Sequence, residues 1–232
     1  MSTRKKNVVY GTEHLLSGLC DSVSKVLTLA THSEIRYSGM VQKIGKTCLK
    51  PDLGCFVLFD GGFSGLVIIN FTAPAAMELY ARYMLNMGMD KASLASTFTA
   101  DEVGNTMGEL MNQIVGDFTG KIERELETHV TQSQPKMLAL NRQVVLSVDA
   151  SLDKPEARRV TFYTGGHNLF YLELAIDRTE FIPLRDFEPQ GAHDPEALFA
   201  QASAAPTANP SHPTKPAHPA SEHDDLLKSL GM

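Results

Sequence analysis

The sequence predicts an α/β chain of the α+β type: an antiparallel or mixed sheet packed with three helices, then a disordered proline-rich linker and a short C-terminal helix. Three observations carry that expectation. Apolar residues recur at helical spacing in three stretches, near residues 12–31, 74–87 and 99–126. Between and after them lie short runs with strand-like patterning, punctuated by Gly, Asn and Pro. Beyond about Asp186 the composition shifts to Pro, Ala, Ser, Thr and His. These shifts divide the chain into a folded domain at 1–185, a flexible linker at 186–220 and an amphipathic peptide at 221–232.

Taken in order, Thr12 to Thr31 places Leu15, Leu19, Val23, Val26 and Leu27 on one helical face. Ser33 to Ile44 alternates like a strand. Gly54–Phe59 and Leu66–Phe71 are apolar runs joined through Asp60-Gly61-Gly62, which suits a hairpin or a slightly longer turn. A second helix covers Pro74 to Met87, with Pro74 in its first turn, where a missing N–H costs nothing. Thr99 and Glu102 have capping-box spacing and open a third, longer helix that runs to about Leu126. Val130 to Val148 holds two strand-like stretches broken around Gln134-Pro135. Arg159–Thr164 and Leu169–Ile176 follow, separated by Gly165-Gly166-His167-Asn168. In the tail, Asp194-Pro195 can open one helical turn through Phe199, but the prolines from Pro206 to Pro219 exclude anything longer.

Composition narrows the function. With 43% apolar residues the chain can build a core, and its net charge of −6 with scattered bases argues against nucleic acid. The basic segment Met1–Asn7 is not followed by an apolar stretch long enough for a signal peptide or a membrane span, so a cytoplasmic protein without membrane contact is expected. Cys20, Cys48 and Cys55 are odd in number and form no CxxC pair, as expected for reduced, structural thiols. Four of the eight histidines, His193, His212, His218 and His223, lie in the tail, too widely spaced for a fixed metal site.

The third helix carries the chemical signal. Val103, Met107, Leu110, Ile114, Phe118 and Ile122 step by three and four residues and define its buried stripe. The opposite stripe is Glu102, Asn105, Glu109, Asn112 and Gly116. Asn and Gly each lower helix stability by roughly 0.5–1 kcal/mol relative to Ala. Two Asn and a Gly on a solvated face, with no base among them, mean either a tolerated polar surface or side chains kept for another purpose.

Glu109-Leu-Met-Asn112 is an E-x-x-N motif, and Pro135 follows Asn112 after twenty-two intervening residues. This spacing and the order of elements resemble the CheC/CheX family of response-regulator phosphatases across about residues 10–178. The family's signature is a Glu and an Asn one helical turn apart with a downstream Pro. Two departures stand out. Asn105 occupies the place where the family has Asp or Ser, and Glu13 on the first helix is followed three residues later by Leu16, so a single-site, CheX-like arrangement fits better. Glu102-Val-Gly-Asn105 is a second, overlapping E-x-x-N without the Pro spacing, which leaves Glu102, Asn105 and Pro135 as auxiliary candidates.

The resemblance implies an aspartyl-phosphate phosphatase in chemotaxis or related two-component signalling. Its partner would be a phosphorylated CheY-like receiver domain that brings its own Mg2+, so this chain needs no metal or cofactor. Asn112 would align the attacking water, since a carboxamide both donates and accepts. Glu109 would pair with the partner's lysine. The alternative is a binding module that captures or localises the phosphorylated regulator without hydrolysing it. A homodimer is a further expectation of the family likeness, with no sequence feature to show it.

The last residues point to the same partner. Ser221 and Asp224 have capping-box-like spacing, Asp224 and Lys228 form an i,i+4 pair, and Gly231 sits at a C-cap position. Leu226, Leu227 and Leu230 then share one face. The segment Asp224-Asp225-Leu226-Leu227-Lys228-Ser229-Leu230-Gly231 is similar to the C-terminus of the chemotaxis phosphatase CheZ, the peptide that captures phosphorylated CheY. The plainer reading is a terminus whose leucines pack back on the body.

Overall fold

The computed structural model describes residues 9–183. The linker at 186–220, the tail histidines and the peptide with Asp224, Asp225, Leu226, Leu227 and Leu230 lie outside the described residues.

Within the described residues the chain runs α1 (Thr12–Thr31), β1 (Arg36–Ile44), β2 (Cys48–Leu49), β3 (Leu53–Gly61), β4 (Gly65–Phe71) and α2 (Ala73–Asn86). A single 3-10 turn at Lys91–Ser93 precedes α3 (Asp101–Leu126). Then come β5 (Val130–Gln132), β6 (Lys136–Ala139), β7 (Leu146–Ser147), β8 (Pro155–Tyr163) and β9 (Leu169–Asp177). Seven strands form one antiparallel sheet in the order β1-β8-β9-β4-β3, with β5 and β6 both on the outer edge of β3. This is the α+β architecture the sequence predicts.

Alternation of side chains gives the sheet two different faces. Leu53, Cys55, Val57 and Phe59 of β3, with Val67, Ile69 and Phe71 of β4, join the buried stripes of all three helices in the main core. On the other face Leu66, Ile68, Ala157 and Ala175 pack with Leu49 and Leu140 in a smaller core. Covered on both sides, β4 is buried at every position. Its Asn70 is 1% exposed and is satisfied there, donating to the Cys48 carbonyl and accepting from the Lys50 N–H. Fully buried Glu173 does the same work, accepting from the Cys48 N–H and from the Arg159 guanidinium. Those bonds seat β2, which pairs with β7.

Gly61 permits the β3–β4 turn. Its φ of 147° disfavours side chains, and a Cβ there would come within 2.1 Å of the His129 carbonyl oxygen. In α2, Thr72 is the N-cap and its hydroxyl accepts from the Ala75 N–H.

One expectation is corrected in detail. The Thr99–Glu102 capping box does not form: the N-cap of α3 is Ala100 with no side-chain cap bond, and the Thr99 hydroxyl lies 3.0 Å from that of Thr97. The alternating run at 33–44 is a strand as expected, β1, lying at the sheet edge and exposed at most positions. The β2–β7 pair had no sequence signal, because two-residue strands are too short to show periodicity. The three cysteines are free thiols and buried, as expected. No described helix is long and apolar enough to cross a membrane.

Candidate functional site

The buried stripe of α3 is as the periodicity predicts, with Val103, Met107, Leu110, Ile114, Phe118 and Ile122 each at most 1% exposed. Packing on the sheet, α1 and α2 fixes the helix rotation, and so aims the opposite stripe outward. Glu109 and Asn105 are exposed and Asn112 is half-buried. Glu109 accepts a 3.0 Å bond from the Gln113 carboxamide one turn on. Among the described residues, the Asn105 and Asn112 carboxamides make no hydrogen bond.

These side chains line an open groove of about 670 Å³. One wall is the N-terminal half of α3, with Asp101, Asn105, Glu109 and Asn112 and the bare backbone of Gly104 and Gly108. The rest of the lining comes from Gln134, Pro135 and Met137 of the β5–β6 region and from Phe98 to Ala100 before α3. The groove therefore brings Asn105, Glu109, Asn112 and Pro135 together. It carries two carboxylates, Asp101 and Glu109, and no cationic side chain among its described lining residues.

A bulge sets the second wall. Gln132 pairs with Phe59 and Lys136 with Phe56, so three residues, Ser133 to Pro135, stand opposite only two of β3. Ser133 anchors the bulge to Leu58: its N–H donates to the Leu58 carbonyl at 2.8 Å and its hydroxyl accepts from the Leu58 N–H at 3.1 Å. Pro135, with no N–H to offer the ladder, completes the break.

Glu102 is not in the groove. Its carboxylate accepts from the hydroxyl of fully buried Tyr80, which in turn accepts from the Ala95 N–H at 3.0 Å. Burial, then the bond to Glu102, raises the Tyr80 hydroxyl above its ordinary pKa. Glu102 thus ties α3 to α2 while Tyr80 holds the segment before α3 through Ala95, and the overlapping E-x-x-N splits between a scaffold residue and a groove residue. Sequence reasoning missed Asp101, Gly104, Gly108 and Gln134 as groove residues. The glycines had a signal, a four-residue step on the same helix, but Gln134 was seen only as part of a strand break.

Comparison with solved structures fits this fold to the CheX/CheC-like chemotaxis proteins. A chemotaxis protein CheX from Desulfovibrio desulfuricans superposes with a TM-score of 0.55 at 16% identity, covering 70% of this chain and 99% of that one. A CheC-like superfamily protein from Shewanella sp. PV-4 gives 0.58 at 15% identity, with 70% and 97% covered. The CheX-CheY-BeF3-Mg+2 complex from Borrelia burgdorferi gives 0.52 at 18% identity, with 71% and 98% covered. At these identities the likeness is one of fold. By sequence the chain belongs, over residues 6–232, to the family described as Protein of unknown function (DUF3334). No curated protein matches it.

Proposed function

We propose that this chain dephosphorylates the phospho-aspartate of a CheY-type receiver domain docked against the α3 groove, acting in the cytoplasm. The observation that supports this most directly is a single open groove lined by Glu109, Asn112 and Pro135. A structural neighbour crystallised as a complex with CheY adds to it. An acyl phosphate is already activated, and the receiver would bring its own Mg2+ and lysine, so alignment of water is the missing part. Asn112 holds that water. The water oxygen bonds to phosphorus, the acyl P–O bond breaks with its electron pair returning to the aspartate carboxylate, and phosphate leaves with the water's protons. Glu109 pairs with the receiver's lysine and sets the register of docking. The acidic groove without a cation fits a partner that brings positive charge.

The peptide at 221–232 would act as a tethered capture segment through Asp224, Asp225, Leu226, Leu227 and Leu230, raising the local concentration of the regulator. Phosphate release from phosphorylated receiver domains, with and without this protein, tests the reading. Release should be accelerated by wild type and not by Asn112→Ala, with binding retained. A wild type that binds the regulator but releases no phosphate would make the protein a capture module. Deleting residues 221–232 should raise KM about tenfold and leave the saturated rate within about twofold, because remote binding contacts act on the ground state. An unchanged KM would remove the capture role.

A further inference from the structure

Resting on that phosphatase reading, we propose that Gln134 is a second substrate-facing residue, orienting the attacking water from the β5–β6 side of the groove that Asn112 lines from the helix. Three observations converge on it. Gln134 lines the same groove as Asn112, from the β5–β6 region rather than from the helix. It is exposed, and among the described residues its carboxamide makes no hydrogen bond. Its backbone is held on both sides, by the paired bonds between Ser133 and Leu58 and by Pro135.

That combination is not what a solvated loop residue needs. A bulge costs ladder hydrogen bonds, and its common use is to re-aim one side chain out of the strand's alternation. Here the extra residue comes with an anchored serine before it and a ring-locked proline after it, which limits the directions in which Gln134 can extend. A water attacking phosphorus keeps one lone pair toward the phosphorus and needs acceptors for its protons or a donor to its other lone pair, and one carboxamide on a helix supplies these from one side only. A second carboxamide from the β5–β6 side would help hold the water in line, with the fixed backbones of both residues limiting the entropic cost to the side-chain rotamers. The hydrolysis itself is unchanged: the same water oxygen bonds to phosphorus and the same acyl bond breaks.

The experiment measures phosphate release from a saturating phosphorylated receiver domain with the full chain carrying Gln134→Ala or Gln134→Leu. Leu nearly preserves the volume of the side chain while removing both polar ends. We expect kcat to fall about tenfold in both variants with KM within about twofold of wild type. Full activity in Gln134→Leu would reduce the residue to filling space and overturn the proposal. A loss confined to KM would make it a docking contact and overturn it equally. If both variants equal an active wild type, this inference fails and the phosphatase reading stands; an inactive wild type brings down that reading and this inference with it.

Discussion

Apart from Glu102 and Thr106, which bond Tyr80 and Met84 of α2, the two halves of α3 treat their polar residues in opposite ways. In the C-terminal half Asp117 accepts from the Ser22 hydroxyl at 2.7 Å, from Lys25 at 2.6 Å and from Lys121 at 2.7 Å, pinning α1 to α3. Glu123 accepts from the Val130 N–H at 2.8 Å, and Glu125 meets His14 at 2.9 Å. In the N-terminal half Asn105 and Asn112 have no partner among the described residues, and Glu109 has only its neighbour Gln113. One helix, with one continuous buried stripe, thus carries polar groups bonded across the fold in its C-terminal half and solvent-facing ones with few or no protein partners along the open groove. A polar group that serves the fold finds its partner inside the fold. On the proposed reading, the groove-facing Asn105, Glu109 and Asn112 are the ones a docked receiver would use, at a cost in helix propensity.

The sharpest test exchanges damage between the halves. Asn112→Ala should cut phosphate release by about a hundredfold and leave the melting temperature unchanged or slightly raised, since it removes a poor helix former and no bond. Asp117→Ala should do the reverse. It breaks a partly buried cluster worth about 1–2 kcal/mol after allowance for the exposure of Lys25, lowering Tm by about 3–6 °C with the rate retained below the transition. Paired melting and phosphate-release measurements check both, and a variant of either kind that changes both readouts equally would erase the distinction.

Acid sharpens the same contrast. Partial burial alone would raise the Asp117 carboxyl, but hydrogen bonds from Lys121, Lys25 and Ser22 outweigh it and hold the group below the usual carboxylate range. The folded state therefore binds the proton less readily than the unfolded one, and stability from this group is present above the unfolded value of about 3.9 and lost as pH falls below it. The stability gap between wild type and Asp117→Asn, measured by denaturant titration, should be largest near neutrality and shrink below about pH 4. A gap that is flat from pH 7 to pH 3 would show that the carboxylate charge is not what pins the helices.

Long elements were legible from sequence because their signals sum over many residues. Periodicity placed α1 at Thr12–Thr31, and the α3 stripe was right at every named position. The site was legible only along the helix. Asn105, Glu109 and Asn112 share a stripe that 3.6-residue spacing reveals, and Pro135 came from a resemblance, not from geometry. Two things were out of reach. Glu102 is on that stripe by spacing but is claimed by Tyr80, twenty-two residues away, and no local pattern reports such a pairing. Gln134 became part of the groove only through a bulge whose register depends on β3, a strand more than seventy residues earlier.

The smallest expected effect tests the comparison at the level of single methyl groups. Gly108 lies in the groove half of α3 and Gly120 in the half that packs on α1. A Cβ at Gly108 would sit 3.6 Å from Met137 Cγ, and one at Gly120 would sit 3.7 Å from Arg124 Nη1, both ordinary van der Waals contacts. Neither glycine is required by the fold, and Ala at either site should stabilise the helix by about 0.5–1 kcal/mol, raising Tm by about 2–3 °C. The effect on function should differ. At Gly108 the added methyl narrows the groove where a receiver domain would approach the helix backbone, so Gly108→Ala should raise KM several-fold, while Gly120→Ala leaves both kinetic parameters as in wild type. A Gly108→Ala variant that is more stable and kinetically identical to wild type would mean that the groove does not receive its partner against that backbone, and the asymmetry of α3 would then belong to Asn105, Glu109 and Asn112 alone.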